Sequence, residues 1–119
     1  MLKSTIIGTL GDDAEYHISK NMLRMSVVHT DYGVDQDGKK TENNVWVNVH
    51  LKGDGGNRRQ HLLKGSKIYA YGRLYVSTYL NQRGNSALNI TIVATELEII
   101  AFAKSKDADK QTNDYTIEN

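Results

Sequence analysis

The residues with the clearest capacity for chemistry lie in a short segment in which apolar and polar side chains alternate. Positions 45, 47, 49 and 51 are aliphatic, and the positions between them are Trp46, Asn48, His50 and Lys52. Successive side chains of a strand point to opposite faces, so the alternation predicts a strand with one apolar and one polar face. The only tryptophan lies on the polar face, next to an amide, an imidazole and an ammonium group. An indole ring can stack an unpaired base while a nearby cation holds its phosphate. The alternative interpretation is a tryptophan that is half-buried at a subunit contact or beneath a loop.

A second segment, residues 67–79, carries a row of tyrosines on the polar face of a predicted strand. Its apolar set is Ile68, Ala70, Leu74 and Val76, and the opposite parity reads Lys67, Tyr69, Tyr71, Arg73, Tyr75, Ser77, Tyr79. Tyrosine often covers a half-wet sheet surface, and tyrosine and arginine are enriched at interfaces between subunits. We therefore expect the row to divide between ligand contact and an oligomer interface.

The charge of the chain is concentrated in the region that holds these two segments. The formal net charge is only +1. Residues 39–83, however, contain nine cations and two carboxylates, whereas residues 1–38 and 84–119 each contain three cations and six carboxylates. A basic centre that bears exposed aromatic residues indicates a polyanionic partner.

Composition limits the other classes of function. The chain has no cysteine, which excludes disulfides, thiolate nucleophiles and cysteine metal sites. The four histidines have no metal-ligand spacing, the acidic turn at 12–15 is typical of a solvated loop, and no glycine-rich phosphate loop precedes a helix. We predict no enzyme activity, metal or cofactor. No signal peptide is visible and the longest apolar run, residues 99–103, is too short to span a bilayer, so we expect a cytoplasmic, nucleoid-associated protein without membrane contact.

The order of predicted elements defines the fold class. Strands are expected at 2–10, 22–30, 45–52, 67–79 and 87–100, with a bulge near 93–95 where the apolar parity of the last strand shifts. Long hairpin loops are expected at 31–43 and 80–86, and 16–19 could extend the sheet. Residues 58–64 predict the one short helix, capped by Asn57 and stopped by Gly65.

These elements predict an all-β chain: an OB-fold, which is a five-stranded Greek-key barrel, with one short helix between strands 3 and 4. The barrel is expected to occupy residues 1–103 as one domain. Residues 104–119 are polar and aperiodic, which predicts a disordered tail.

Over residues 2–100 the chain resembles the bacterial single-stranded DNA-binding protein family. Residues 8–15 read GTLGDDAE and resemble the family turn G-x-L-G-x-D-P-E, with Ala14 in place of proline. Trp46 stands where the family has the tryptophan of its T-E-W segment, and residues 64–74, KGSKIYAYGRL, resemble the family run K-G-S-x-V-Y-V-E-G-x-L.

The resemblance implies sequence-tolerant binding of single-stranded DNA in replication, recombination or repair, by a homo-oligomer of OB-folds that is more often a tetramer than a dimer. It carries the stacking role to Trp46, Tyr79 and Tyr32, and a contact between dimers to Tyr69. Lys52 replaces a family phenylalanine, which implies a phosphate contact at that position. Together with the residue patterns, the expected DNA-binding residues are Trp46, Tyr79, Tyr32, Tyr75, Asn48, His50, Lys52, Arg73, Lys39, Lys40 and Arg83, and the expected oligomer interface residues are Tyr69 and Tyr71.

The C-terminal sequence departs from the family pattern. It ends DYTIEN and lacks the acidic, apolar-tipped tail by which the family recruits repair and replication proteins, so recruitment through the tail is not expected. An accessory copy from a mobile element, a tail-less primosomal type of OB protein and an oligomeric OB interaction module remain as alternatives. RNA binding also stays open, because stacking and phosphate contacts do not read the sugar.

Overall fold

The structure, a computed structural model, describes residues 1–103 and consists of one sheet that closes on itself. Its strands are β1 (Lys3–Leu10), β2 (Glu15–His17), β3 (Met22–Val34), β4 (Lys40–Lys52), β5 (Lys67–Leu80) and β6 (Ser86–Ala101), with 3-10 helices at Ile18–Lys20 and Gly56–His61. The strand order is β1-β5-β6-β4-β3-β2, and β1 also pairs with β3. This closure by five long strands confirms the OB-fold, and β2 is the short extension expected near Tyr16.

The barrel closes unevenly. β1 meets β3 through only two residue pairs, Thr9↔Val28 and Leu10↔Val27. Beyond them, the side chain of His29 lies with Nδ1 3.0 Å from the carbonyl oxygen of Ile7. β4 and β6 pair in parallel over a short stretch, Asn48–Leu51 with 91–94. The far ends of β3–β4 and of β5–β6 are therefore free to project from the barrel as two-stranded ribbons.

The buried face of each strand is the one that the alternation predicts. On β4, Val47, Val49 and Leu51 are buried while Val45 is partly exposed. The core cluster consists of Ile6, Leu10, Leu23, Met25, Val27, Val47, Val49, Leu51, Leu62, Ile68, Ala70, Ile92, Ala94 and Leu97. Because the core uses the odd positions of β4, the even positions face outward.

The hairpin loop predicted at 31–43 is much shorter than expected, and the loop predicted at 80–86 lies close to its expected position. Pairing of β3 with β4 continues to Val34↔Lys40, and pairing of β5 with β6 continues to Leu80↔Ser86. Each turn is closed by one side-chain oxygen: Asp35 Oδ1 accepts from the amides of residues 37 and 39, and Asn81 Oδ1 accepts from those of residues 83 and 85. The outer part of the β3–β4 ribbon, residues 31–34 and 40–44, has no core to bury, and its sequence lacks the alternation that predicts a strand.

The predicted helix is wrong in type and in boundaries. The segment is a 3-10 helix over Gly56–His61, preceded by Gly55 at φ 86° with no side-chain cap, so Asn57 is not the cap and Gly65 is not the stop. Two glycines in the left-handed region at its start prevent a regular first turn. It lies between β4 and β5, which are the third and fourth long strands, as predicted.

The predicted bulge in the last strand is confirmed. The β5–β6 register passes from Tyr71↔Glu96 to Gly72↔Ala94, so Thr95 is unpaired. A Cβ on Gly72 would lie 2.0 Å from the carbonyl oxygen of Val93, so only glycine fits at the bulge. Within residues 1–103, no helix has the length and apolar character needed to cross a membrane. The predicted tail, 104–119, lies outside the described residues.

Candidate nucleic-acid interface

Trp46 lies on the outer face of β4 with its ring resting on a glycine. It pairs with Val28 of β3 and is 56% exposed. A Cβ on Gly11 would lie 2.6 Å from Cζ3 and 2.7 Å from Cη2 of the indole, so the absence of a side chain there makes room for the ring. The amide of Gly11 donates to the carbonyl oxygen of Ser26 at 2.9 Å, which fixes this support against β3. The indole is therefore held from one side and open to solvent on another.

The register of four strands places the tyrosine row on the same face as Trp46. Tyr75 pairs with Thr91, Thr91 with Asn48, and Asn48 with Ser26. Because directly paired residues share a face, a continuous row runs across β5, β6, β4 and β3 beside Trp46. Tyr75 and Tyr79 are 48% and 53% exposed, so both rings are accessible on this surface.

Tyr32 extends this surface along the β3–β4 ribbon. It pairs with Glu42 and has the same parity along β3 as Val28, the partner of Trp46. It is 80% exposed, and between it and Trp46 the hydroxyl of Thr30 donates to Asn44 Oδ1 at 2.8 Å. We call the surface that carries Trp46, Asn48, Tyr75, Tyr79 and Tyr32 the aromatic face.

The predicted cations are distributed around the aromatic face. The guanidinium carbon of Arg73 lies 5.5 Å from the ring centroid of Tyr75, a cation–π distance. Lys39 and Lys40 lie at the tip of the β3–β4 ribbon, and Arg83 lies in the turn of the other ribbon. Lys52 is exposed at the opposite end of β4, paired with Met22. Of these five predicted cations, all within the described residues, Arg73 is the one that lies over an aromatic ring.

His50, which was expected to be a DNA-binding residue, is half-buried. Its pKa is lowered, first by burial and then by Arg24, Lys20 and His17, and its Nε2 is buried without a hydrogen-bond partner. The ring lines a pocket of about 220 Å³. Three carboxylates line the same pocket, those of Asp12, Asp13 and Glu15. Burial and the neighbouring cations thus disfavour the charged imidazolium form of His50, which weakens the case for a phosphate contact at this position.

Tyr69 and Tyr71 occupy a different environment from Tyr75. The Tyr69 hydroxyl donates to Glu96 Oε2 at 2.9 Å, and this hydrogen bond is the main cause of its raised pKa. Lys3 Nζ lies 5.9 Å from the ring centroid of Tyr71, and both tyrosines are half-buried. The tyrosine row thus has two environments, with the carboxylate of Glu96 beside Tyr69 and the guanidinium of Arg73 beside Tyr75.

Two residues of the site were missed by sequence reasoning. Asn89 of β6 accepts a hydrogen bond from Asn48 Nδ2 at 2.9 Å, and Gly11 supports Trp46. Both depend on pairing between distant segments, although the odd parity of Asn89 in an apolar strand was an available signal. Among the described residues, no group of histidine, cysteine and carboxylate side chains is arranged to hold a metal ion.

An OB barrel whose open sheet face carries accessible aromatic rings and peripheral cations defines a nucleic-acid-binding class of protein. A model of the single-strand binding protein family matches residues 1–100, and the chain belongs to this family. The resemblance seen in the sequence is thereby confirmed.

Curated relatives of the chain are named single-stranded DNA-binding proteins. A single-stranded DNA-binding protein of Xanthomonas axonopodis pv. citri is 29% identical over 102 residues, covering 82% of this chain and 57% of the relative. Single-stranded DNA-binding protein 1 of Xylella fastidiosa is 30% identical over 116 residues, which cover 93% of this chain and 84% of that relative. The chain thus spans less than two thirds of the length of the Xanthomonas relative.

Solved structures share the fold. A small single-stranded DNA-binding protein from Streptomyces coelicolor superposes with a TM-score of 0.64 at 18% identity, covering 82% of this chain and 93% of that one. The Plasmodium falciparum SSB in complex with single-stranded DNA gives a TM-score of 0.62 at 14% identity, and the match covers 87% of this chain and 96% of that one.

Proposed function

We propose that the chain binds single-stranded DNA with little sequence preference through the aromatic face. The observation that carries the proposal is the register that puts Trp46, Tyr75, Tyr79 and Tyr32 on one surface, each about half or more exposed. Bases stack on such rings whatever their identity, because every base has a π-face. The names of the relatives support the same ligand.

The cations supply the phosphate contacts. Arg73 reaches the backbone beside Tyr75, while Lys39, Lys40 and Arg83 at the ribbon tips and Lys52 at the end of β4 extend the path. The projecting ribbons carry their charge beyond the barrel, so a strand can contact a ribbon and the face together. Affinity therefore falls with salt as bound counterions are released.

The chain acts by binding and protecting single strands during replication, recombination or repair, and it has no catalytic role. It works in the cytoplasm at the nucleoid. Residues 1–103 form the binding domain, and recruitment of repair proteins through the tail is not part of the proposal.

The proposed assembly is a homotetramer, with a dimer as the second choice, and Tyr69 and Tyr71 at the interface. Both rings are half-buried next to carboxylates, and Ile7, the β1 partner of Tyr69, is 46% exposed. An apolar side chain and two tyrosines on one surface match the composition of subunit interfaces.

A second candidate, an oligomeric OB interaction module, is favoured by the other face of the ribbons. Val76, Leu80 and Leu88 continue the core side of their strands into solvent and are 54%, 73% and 63% exposed. Such apolar surface is typical of protein contacts.

Titration of Trp46 fluorescence separates the two candidates. Single-stranded oligo(dT) is added at two salt concentrations, and a duplex of matched length is the control. We expect quenching by the single strand, weaker binding at the higher salt and a smaller response to the duplex. An unchanged emission and no measurable binding would leave the interaction module.

A further inference from the structure

We infer that His29 is a positioning residue that ties the β3–β4 ribbon to β1 when both nitrogens of its imidazole carry protons. This inference rests on the proposed binding of single-stranded DNA. The ring bridges two elements: Nδ1 lies 3.0 Å from the carbonyl oxygen of Ile7 on β1, and Nε2 lies 2.9 Å from Oδ1 of Asp31 on the ribbon. One side chain thus connects the beginning of the outer ribbon to the barrel.

The bridge lies where the backbone pairing of β1 with β3 ends. The last pair joins Thr9 with Val28, and His29 is the next residue of β3. Its side chain continues the contact with β1 beyond the last backbone pair. Asp31, the other partner of the ring, directly precedes Tyr32 of the aromatic face. The bridge therefore acts at the point where the ribbon leaves the barrel and begins to carry residues proposed to bind DNA.

The two partners determine how many protons the ring must carry. A carbonyl oxygen and an ionised carboxylate only accept hydrogen bonds, whereas a neutral imidazole has a single N–H. Both hydrogen bonds of His29 therefore form together only in the imidazolium. The same partners raise the pKa of His29, the carbonyl of Ile7 first and Asp31 second. The bridge is thus complete below the ordinary pKa of 6.5, and it loses one bond as pH rises through the raised pKa.

The surroundings of the ring leave its charge to one carboxylate. His29 pairs with Val45 of β4 and borders an open groove of about 330 Å³. This groove is lined by Ser4, Thr5 and aliphatic side chains from β1, β4, β5 and β6, none of which titrates. Among the described residues, Asp31 is the charged group that acts on the imidazole. The titration of the bridge therefore belongs to the pair of His29 and Asp31.

Opening of the bridge is expected to weaken DNA binding through the ribbon. The ribbon carries Tyr32, and Lys39 and Lys40 lie at its tip. A ribbon that is fixed to β1 holds these side chains in place before DNA arrives, so less conformational freedom is lost on binding. The side chains of His29 and Asp31 are 43% and 68% exposed. The effect is therefore modest, roughly two- to fivefold in affinity, which is the range of exposed ion pairs.

The test measures oligo(dT) affinity at about pH 6 and about pH 9, at one ionic strength, in the unmodified protein and in Asp31→Asn. We expect the loss of affinity at the higher pH to be roughly two- to fivefold larger in the unmodified protein. In Asp31→Asn the amide NH₂ can donate to the free nitrogen of the neutral ring, so both bonds persist at either pH. His29→Arg has a permanent cation with donors for both oxygens and should also show the smaller loss.

Asp37→Asn is the matched control, because it removes the same charge from the turn of the same ribbon, and Asp37 does not act on His29. It should keep the pH dependence of the unmodified protein. Nitrogen NMR of the His29 ring should show both nitrogens protonated at about pH 6 and the proton lost above pH 6.5.

Two results overturn the inference and leave the proposed function standing. One is the same pH dependence in the unmodified protein and in Asp31→Asn, or an equal reduction of it in Asp37→Asn. The other is a His29 ring that loses its proton below pH 6.5. Absence of oligo(dT) binding by the unmodified protein at both pH values overturns the proposed function and the inference together.

Discussion

At the scale of single residues, Trp46 shows how one strand position separates stability from binding. Its neighbour Val47 is 6% exposed and points into the core, whereas Trp46 is 56% exposed on the opposite face. The sequence predicts this division because the alternation is strict from 45 to 52. It does not predict what supports the ring, since Gly11 belongs to a segment far away in the chain.

Trp46→Ala is expected to weaken binding of oligo(dT) by about 1–3 kcal/mol for each base that stacks on the ring. The fold should persist, because the residue lies outside the core. Titration by anisotropy measures the affinity, and circular dichroism checks the fold. Val47→Asp is the control: it buries an unpaired charge and should impair folding or assembly. A Trp46→Ala protein that unfolds, with unchanged binding by the refolded part, would place the ring in the core.

Gly11→Ala is expected to displace the indole while leaving the backbone of Gly11 unstrained. The new Cβ would lie within 2.7 Å of Cη2 of Trp46, and Gly11 is not in the left-handed region. We expect a shifted Trp46 emission and a loss of affinity of up to about 1–3 kcal/mol, the value of one stacked base. Gly33→Ala is the matched control, because its Cβ would meet only Thr41 Oγ1, at 3.0 Å. Equal affinities for the two variants would show that Gly11 does not position the ring.

His50 predicts a pH dependence of stability. Burial, Arg24, Lys20 and His17 lower its folded pKa from 6.5, so the folded protein takes up its proton less readily than the unfolded chain. The stabilisation from neutral His50 is complete above pH 6.5 and is lost as pH falls through the folded pKa. Urea unfolding between about pH 8 and about pH 5 should show wild type losing more stability than His50→Gln. A difference between the two proteins that does not change with pH would contradict this.

At the scale of elements, the sequence predicts those parts of each strand that have a buried face. The sequence also locates the bulge at Thr95, because one unpaired residue shifts the apolar side chains of β6 from even to odd positions. The outer part of the β3–β4 ribbon was predicted as a loop, since both of its faces meet water and no period marks it, whereas most of the β5–β6 ribbon lies within the strands predicted at 67–79 and 87–100. The 3-10 helix was predicted as a regular helix because the residue types do not reveal that Gly55 and Gly56 adopt positive φ angles. The pairing of Asn48 with Asn89 could not be predicted, because it depends on which strands become neighbours.

The β3–β4 ribbon supplies a test of the charge path. The double variant Lys39→Ala/Lys40→Ala removes two cations from its tip, and each cation that contacts a phosphate contributes about 0.7 to the slope of log affinity against log salt for single strands. We expect a flatter slope, measured by oligo(dT) titration over a salt series. Arg58→Ala/Arg59→Ala is the control, since these residues lie on the 3-10 helix and not on a ribbon. An unchanged slope in the ribbon variant would remove this ribbon from the DNA path.

At the scale of the whole molecule, the charge pattern and the fold agree. The basic region, residues 39–83, contains β4 and β5, which bear Trp46 and the tyrosine row. The acidic turn at 12–15 lies by the pocket that holds His50. Four of the nine cations of the basic region, Lys39, Lys40, Arg73 and Arg83, lie on the ribbons or beside Tyr75, and we expect them to attract a polyanion to that side of the molecule.

Removal of the residues after Lys104 is expected to leave assembly and DNA affinity nearly unchanged. All the proposed contact residues, and the six strands that the structure describes, lie within 1–103. Residues 104–119 contain three cations and four carboxylates, and so small a net charge competes weakly for a basic surface at physiological salt. Light scattering should give a tetramer, or as second choice a dimer, before and after truncation, with equal oligo(dT) affinity. A monomer would contradict the interface role of Tyr69 and Tyr71 and reassign both side chains to the DNA-binding surface. Loss of binding on truncation would show that the tail is an ordered part of the site.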